Sequence, residues 1–248
     1  MVKKKEKQQR TGKIERIPAG IEGLDKMIEG GFVRNSTIMI RGGTGTGKTL
    51  FCLQYLYEGA TKYKEPGVFL SFAEPKEAIF QHGRVFGWDF EALEKKELFE
   101  FVKYEPHEIA KTMEEGGGAV KEMMEAMKTK RLAIDSLTAY SLLFESKYKQ
   151  HSSILTLFEM LNKVSCTSLV TSESPGTLTH ETGGRLGFLT DGIINLYYMR
   201  KGKRSRTRAL EVIKMRDTTH MDELSKFDIT LKKGLVVYPG VDPLGRRK

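Results

Sequence analysis

The chain of 248 residues carries a formal net charge of +9, with 39% hydrophobic and 29% charged residues. That length and composition fit one large α/β domain with a sizeable core. The sequence has no run of about 18 apolar residues, and no apolar stretch follows its basic start. We therefore expect neither a transmembrane helix nor a signal peptide.

The two cysteines, Cys52 and Cys166, lie among apolar neighbours and lack the spacing of metal ligands. We expect both to be reduced core residues of a cytoplasmic protein that makes no contact with a membrane.

The N-terminal segment holds much of the positive charge. Its first thirteen residues contain six cations and one acid, which is +5 of the total of +9. A basic protein favours anionic partners, but a charge run at a chain end is usually a solvated tail. We predict a disordered basic tail over residues 1–12, one folded domain over 13–240 and a short basic tail over 241–248. A nucleic-acid-binding arm is the alternative for the first tail.

The most informative motif is a glycine-rich loop early in the chain. Gly42 to Thr49 matches the P-loop pattern G-x-x-x-x-G-K-[ST]. The apolar residues of Ser36 to Arg41 predict a buried strand before it, and leucines at helical spacing predict a helix after Lys48. Strand, loop and helix are the context that phosphate binding needs, so a flexible glycine turn is the weaker alternative.

Each position of this loop has an expected role. Backbone N–H groups of a loop that opens a helix cradle phosphates, and the helix N-terminus adds partial positive charge. Lys48 is expected to reach the β- and γ-phosphates and Thr49 to ligate Mg²⁺. The predicted nucleotide-binding residues of the loop are Gly43, Thr44, Gly45, Thr46, Gly47, Lys48 and Thr49.

Farther along the chain, strand patterns alternate with helix patterns. This alternation predicts a parallel sheet, and the β-rich last quarter predicts an antiparallel extension of it. The predicted strands are Gly67–Phe72, Leu98–Val102, Arg131–Ser136, Thr167–Ser172, Gly192–Met199, Ala209–Met215 and a hairpin over Phe227–Tyr238. The predicted helices are Ile21–Ile28, Pro75–Phe86, two within Glu105–Lys130, and Ser152–Val164, with a loop over Glu173–Gly187.

Two acidic residues follow predicted strands. Asp135 ends an apolar strand, where a Walker B carboxylate would hold the hydration shell of Mg²⁺; a simple helix cap is the alternative. Glu74 follows the strand Gly67–Phe72, where a carboxylate could orient or deprotonate the attacking water; a turn residue before Pro75 is the alternative. The predicted catalytic residues are Lys48, Glu74 and Asp135, with Thr49 and Asp135 as metal ligands.

Several further motifs, in order, make the chain resemble the KaiC-type ATPases of the RecA superfamily. They include RIPAGIEGLDKMIEGGFVRNSTIMIRGGTGTGKT, FLSFAEP, IDSLTAY, LTDGIINL and KMRDTTH. The resemblance covers about Arg16 to Pro239, and its extent is closest to single-domain archaeal members. It implies a RecA-like P-loop core with helices on both faces of the sheet, so that 13–240 would be an ATPase domain.

The resemblance also implies an assembly and a second set of binding residues. Family members are typically hexameric rings with ATP between subunits. The K-x-R-x-[ST]-x-H segment of such proteins reaches the nucleotide of the adjacent subunit. It matches Lys214, Met215, Arg216, Thr218 and His220. One departure concerns turnover, because clock-protein domains carry paired glutamates where this chain has Ala73 and Glu74. Either Glu74 takes the role of base or hydrolysis is slow.

A basic hairpin stands out near residue 200. Residues 200–208 contain six cations and no acid. A solvated hairpin is the favoured interpretation, with contact to nucleic acid or to an unknown protein as alternatives. We expect a Mg²⁺-dependent ATP-binding protein, a slow ATPase that acts as a homo-oligomeric ring in regulation or signalling. A DNA-handling motor and a nucleotide-stabilised scaffold are the rival functions.

Overall fold

A computed structural model describes residues 14–104, 118–144, 146–173 and 187–245. The strands are β1 (Arg16–Ile17), β2 (Phe32–Val33), β3 (Thr37–Gly42), β4 (Gly67–Ser71), β5 (Phe99–Lys103), β6 (Arg131–Asp135), β7 (Thr167–Glu173), β8 (Gly192–Lys201), β9 (Ser205–Met215), β10 (Ser225–Thr230) and β11 (Gly234–Tyr238). The helices are α1 (Leu24–Met27), α2 (Lys48–Glu58), α3 (Lys76–Val85), α4 (Phe90–Glu94), α5 (Gly118–Ala126), α6 (Leu137–Leu142) and α7 (Lys147–Lys163). Gly59–Tyr63 extends α2 as a π-helix, and Gly187–Leu189 is a 3₁₀ turn.

Within those ranges nine strands form one sheet in the order β11-β10-β9-β8-β3-β7-β6-β4-β5, and β1 pairs with β2 apart from it. The six strands from β8 to β5 are parallel, whereas β8, β9, β10 and β11 pair antiparallel. The predicted fold class is therefore confirmed: a mainly parallel sheet continues into a C-terminal antiparallel extension.

Helices cover both faces of the parallel strands. Ile38 and Ile40 of β3 belong to a core cluster with α1, α2, α3 and α4. Met39, between them, belongs to the opposite cluster with α5, α6 and α7. Successive side chains of a strand point to opposite faces, so a strand covered on both sides reads as the continuous apolar run seen in the sequence. Cys52 and Cys166 are free and buried in these two clusters, as expected.

Some element boundaries differ from the prediction. α4 and α6 were not expected, because helices of five or six residues are too short to show periodicity; Asp89 and Ser136 cap them by accepting the N–H groups of Ala92 and Ala139. α7 begins five residues earlier than predicted, and its polar first turn is capped by Ser146.

Other predictions fall outside the described residues. They are the tail at 1–12, residues 246–248 of the C-terminal tail, the first helix of the 105–130 pair and most of the loop over 173–187. Among the described helices, none combines the length and the apolar character that crossing a bilayer requires.

A buried charge anchors the start of β6, the strand that ends at Asp135. Arg131 is fully buried, and its Nε donates to Glu65 Oε2 at 2.7 Å. Its Nη1 donates to the Tyr55 carbonyl at 3.0 Å, and the guanidinium lies 4.6 Å from the Tyr55 ring centroid. A buried cation needs such partners, because an unpaired one pays its full desolvation cost.

We predict that Glu65→Ala lowers the free energy of unfolding by about 3 kcal/mol, because it removes the carboxylate that is hydrogen-bonded to the buried Arg131 guanidinium. The matched control is Glu22→Ala, which breaks the exposed pair with Lys233 and should cost less than about 1 kcal/mol. Denaturant unfolding measures both variants. Equal losses in the two would contradict a special role for the buried pair.

Candidate nucleotide-binding site

The P-loop occupies the turn between β3 and α2. β3 ends at Gly42 and α2 begins at Lys48. Gly45 and Gly47 have φ values of 76° and 103°, a left-handed region that favours glycine. The Thr46 hydroxyl donates to the Gly43 carbonyl at 2.8 Å and closes the loop on itself. The glycine positions and this internal hydrogen bond thus shape the turn from its own residues.

Lys48 lies inside this turn. Its Nζ donates to the carbonyls of Gly42 at 2.8 Å and Gly43 at 3.0 Å. Partial burial lowers the pKa of Lys48 below that of an ordinary lysine, and the nearby carboxylates of Glu173 and Asp135 oppose that shift. The ammonium is therefore held where a bound phosphate would compensate its desolvation.

Asp135 joins three elements of the site. Its Oδ2 accepts a hydrogen bond from the Thr49 hydroxyl at 2.6 Å, and its Oδ1 accepts one from the Thr171 hydroxyl. These contacts connect the end of β6 to the start of α2 and to β7. A carboxylate beside a hydroxyl at a strand end is the kind of oxygen-donor set that Mg²⁺ prefers.

Glu74 sits on the other wall. The Ser71 hydroxyl donates to the Glu74 carbonyl at 2.8 Å and accepts the Ala73 N–H at 3.3 Å, which shapes the turn after β4. The Glu74 carboxylate lies 3.0 Å from His82 Nε2 on α3. The Glu74 side chain is thus partly exposed and has His82 as its hydrogen-bond partner.

One cavity of about 460 Å³ brings these groups together. It contains the P-loop, both predicted carboxylates and the Thr49 hydroxyl. Its walls are formed by Thr44, Gly45, Gly47, Lys48, Thr49, Leu50, Leu53, Ser71, Ala73, Glu74, His82, Phe86, Asp135, Ser136 and Glu173. The predicted residues Gly43 and Thr46 belong to the same loop behind this wall.

Three residues that line the cavity or bind a cavity residue are not among the predicted site residues. Glu173 ends β7. Its carboxylate accepts a hydrogen bond from Thr44 Oγ1 at 3.3 Å, and its backbone N–H donates to Thr138 Oγ1 at 2.8 Å. His82 and Thr171 are the others. Since the carboxyl ends of parallel strands meet at one edge, an acid directly after the strand Thr167–Ser172 was the available signal for Glu173.

The 214–220 segment lies away from this cavity. Met215 is opposite Gly192, and Gly192 is opposite Ile38, near the start of β3 rather than at its P-loop end. Four residues of strand and two strand spacings separate Met215 from Gly42, about 13 Å along the strands and about 10 Å across them. The segment therefore lies toward the amino-terminal ends of the parallel strands, whereas the P-loop of the same chain lies at their carboxyl-terminal ends.

The side chains of this segment make local contacts. Lys214 Nζ donates to the carbonyls of Gly187 and Thr190, and Arg216 pairs with Asp191 at 3.0 Å. An arginine at this strand end could have paired with Asp217 or Asp222, its acidic neighbours in the sequence, but the acidic partner of Arg216 is Asp191. Thr218 accepts from Arg16 at 2.8 Å, and His220 lies 3.4 Å from Asp222. Burial, and then the Arg216 charge, lower the pKa of Lys214.

Comparison with known proteins agrees with this arrangement. The family model described as "ATPase: KaiC" matches residues 17–242. The circadian clock oscillator protein KaiC of Prochlorococcus marinus is 31% identical over 237 residues, which cover 91% of this chain and 46% of that protein. The chain thus spans about half the length of that relative.

Two archaeal proteins match over nearly their whole length. UPF0273 protein MJ1359 of Methanocaldococcus jannaschii is 30% identical over 239 residues, 91% of this chain and 97% of that protein. The crystal structure of the KaiC-like protein PH0186 from Pyrococcus horikoshii OT3 has a TM-score of 0.80 and 34% identity, and the match covers 91% of this chain and 100% of that one. The predicted resemblance to single-domain archaeal members is confirmed.

We predict a pH effect from the pair of Lys48 and Glu173. Binding of a triphosphate favours the ammonium form, so affinity should fall as the pH rises through the lowered pKa of Lys48. Glu173→Gln removes a charge that favours the ammonium, so this fall should begin at a lower pH. Titration of nucleotide affinity against pH, relative to each protein's own plateau, measures the shift. Glu159→Gln, on the exposed face of α7, is the control, and identical profiles for both variants would contradict the prediction.

Proposed function

The chain belongs to the KaiC family of ATPases, and we propose that it binds ATP with Mg²⁺ and hydrolyses it slowly as a homo-oligomeric ring. The observation that carries this proposal is the single cavity that unites a P-loop, Lys48, Thr49, Asp135 and a second carboxylate, Glu74. A phosphate cradle, a metal-binding pair and a carboxylate on the facing wall are the parts that phosphoryl transfer to water requires.

The P-loop and its neighbours would hold the phosphates. The backbone N–H groups of residues 43–49 and Lys48 would bind them, and Lys48 would exchange its carbonyl partners for phosphate oxygens. Thr49 and Asp135 supply adjacent oxygen donors and fit a Mg²⁺ ion, which keeps few protein ligands and takes the rest from phosphates and water. When bound, the ion would neutralise charge on the phosphate oxygens.

Glu74 is the proposed general base. It lines the cavity on the wall formed by β4 and α3, and the turn fixed by Ser71 presents it there. Ala73 offers no carboxylate, so a single acid would have to take the proton of the attacking water. His82 Nε2, at 3.0 Å, is a hydrogen-bond partner of this carboxylate and would compete with the attacking water for it. We attribute slow turnover to this lone, partnered base.

The ring proposal rests on where Lys214 and Arg216 lie. Because the segment sits toward the opposite edge of the sheet, a contact between these cations and a nucleotide needs the P-loop of a second copy. A heterologous interface that repeats and closes would place one copy's segment against the next copy's cavity. A hexamer is the proposed closure, with Met215, Thr218 and His220 completing the contact.

The cellular role is proposed as regulatory. One relative is described as a circadian clock oscillator protein, but this chain spans only about half of it. We therefore propose signalling through nucleotide state to a protein partner, with residues 13–240 as the ATPase domain. The free, buried cysteines support a cytoplasmic location.

We predict that Glu74→Gln cuts steady-state ATP hydrolysis about 10²-fold or more while ATP affinity stays within a few-fold, as expected for loss of a general base. Glu77→Gln, the next acid along the chain and exposed on α3, is the matched control and should keep the parental rate. Phosphate release and nucleotide binding are measured on each. Parental turnover in Glu74→Gln would exclude Glu74 as the base and make Glu173 the next candidate for that role.

We predict that co-assembled Lys48→Ala and Arg216→Ala subunits recover activity that neither has alone. In a ring with shared sites, about one site in four of a random equal mixture joins an intact P-loop to an intact Arg216. The control mixes wild-type subunits with the double variant. If sites are shared between subunits, both mixtures should show about a quarter of full activity. If each site lies within one subunit, the mixture of single variants should show none and the control mixture about half. The latter result, with mixed rings confirmed by mass, would overturn the trans role.

A further inference from the structure

We propose that the hairpin formed by β8 and β9 binds single-stranded nucleic acid. We define the basic hairpin as residues 198–208, which lie at the tip of these two strands. The proposal concerns binding alone, so it stands or falls independently of hydrolysis and of the proposed ring.

The hairpin presents an aromatic ring among arginines. Tyr198 is directly opposite Arg208, and Arg200 is directly opposite Arg206. Residues directly opposite, and residues two apart on one strand, share a face of the sheet, so all four side chains lie on the same face. The guanidinium carbons of Arg208 and Arg206 lie 4.4 and 5.1 Å from the Tyr198 ring centroid. Tyr198, which the sequence did not single out, is partly exposed beside them.

The positive charge of the hairpin lacks acidic partners among the described residues. In the part of the chain that the structure describes, none of its six cations forms an ion pair; they are Arg200, Lys201, Lys203, Arg204, Arg206 and Arg208. Like charges directly opposite on paired strands are destabilising. An anionic ligand would offset this repulsion, so the cluster favours binding of a polyanion.

The hairpin also projects from the protein. Leu196 of β8 pairs with Gly42, the last residue of β3, so β8 continues for five residues beyond the P-loop end of that strand. This is a ribbon of about 16 Å at 3.3 Å per residue. It rises from the edge of the sheet that carries the nucleotide cavity, and residues 200–206 are exposed along it.

The combination of cations and an exposed aromatic ring favours single-stranded nucleic acid over other anionic ligands. Cations alone fit any polyanion, but an accessible ring flanked by planar guanidiniums offers stacking surfaces for bases. Base faces are accessible in single strands and hidden inside a duplex. An acidic protein segment would use the cations and gain little from Tyr198, so this residue separates the two classes of partner.

The test measures binding of the full chain to a fluorescent oligothymidylate by anisotropy over a range of salt. The hairpin variant is Arg200→Gln, Arg204→Gln and Arg206→Gln combined. The control removes three exposed cations elsewhere, Lys26→Gln, Lys95→Gln and Lys96→Gln. Loss of three phosphate contacts should reduce the slope of log affinity against log salt by about 2, and reduce affinity about 100-fold at 0.1 M salt. The N-terminal cations are present in every variant, so their contribution cancels.

Variants of Tyr198 provide the second part of the test. Tyr198→Ala should weaken oligothymidylate binding by about 5- to 100-fold and Tyr198→Phe by far less, as expected for a stacking contact. Tyr198→Leu preserves bulk if the alanine variant unfolds. Duplex of the same length and polyglutamate are the competing ligands. Equal affinity of hairpin and control variants, or Tyr198 variants with parental affinity for the single strand, would overturn the proposal. Preference for the duplex or for polyglutamate would overturn it in favour of those partners.

Discussion

The Asp135 carboxylate is the constraint on which the site depends. It accepts hydroxyl hydrogen bonds from Thr49 at the start of α2 and from Thr171 on β7. An ionised group at the end of an otherwise buried strand is stable only with such partners, so the order of β6, β7 and β3 in the sheet and the position of α2 are coupled to one side chain. The pairing that stabilises the fold also places the oxygen donors beside the phosphate loop.

β6 carries a charge at each end, and the two have different roles. Arg131 begins the strand fully buried against Glu65 and the Tyr55 ring, far from the cavity, whereas Asp135 ends it at the cavity wall. Leu132, Ala133 and Ile134 between them are fully buried. An ion pair at the start of this short strand and hydroxyl hydrogen bonds at its end hold the carboxyl-terminal acid in one register, because a slip of one residue would reverse every side chain and break both sets of contacts.

The sequence predicted those residues of the site whose positions follow from the residue types and spacing of one short segment. Gly45, Gly47, Lys48 and Thr49 act within one turn, so their spacing alone implies their geometry. Glu173 carried a usable signal, its position directly after a predicted strand, but His82 did not, because the packing of a helix against a strand end is not visible in a single segment. Tyr198 was missed for the same reason: only the cross-strand partners Arg206 and Arg208 make it notable. The pairing of Arg216 with Asp191 likewise needed the turn before β8 to be placed beside the end of β9.

The candidate functional residues lie at two opposite ends of the strands of the sheet. The carboxyl ends of the parallel strands hold the phosphate loop and the acids, and the basic hairpin rises from that edge. The opposite edge holds Lys214 and Arg216, whose β9 runs antiparallel and carries them away from the cavity. A chain built this way separates phosphate binding from the cations proposed to act on phosphate. If neighbours supply those cations, assembly becomes a condition for turnover, and the nucleotide is the contact that reports one subunit's state to the next.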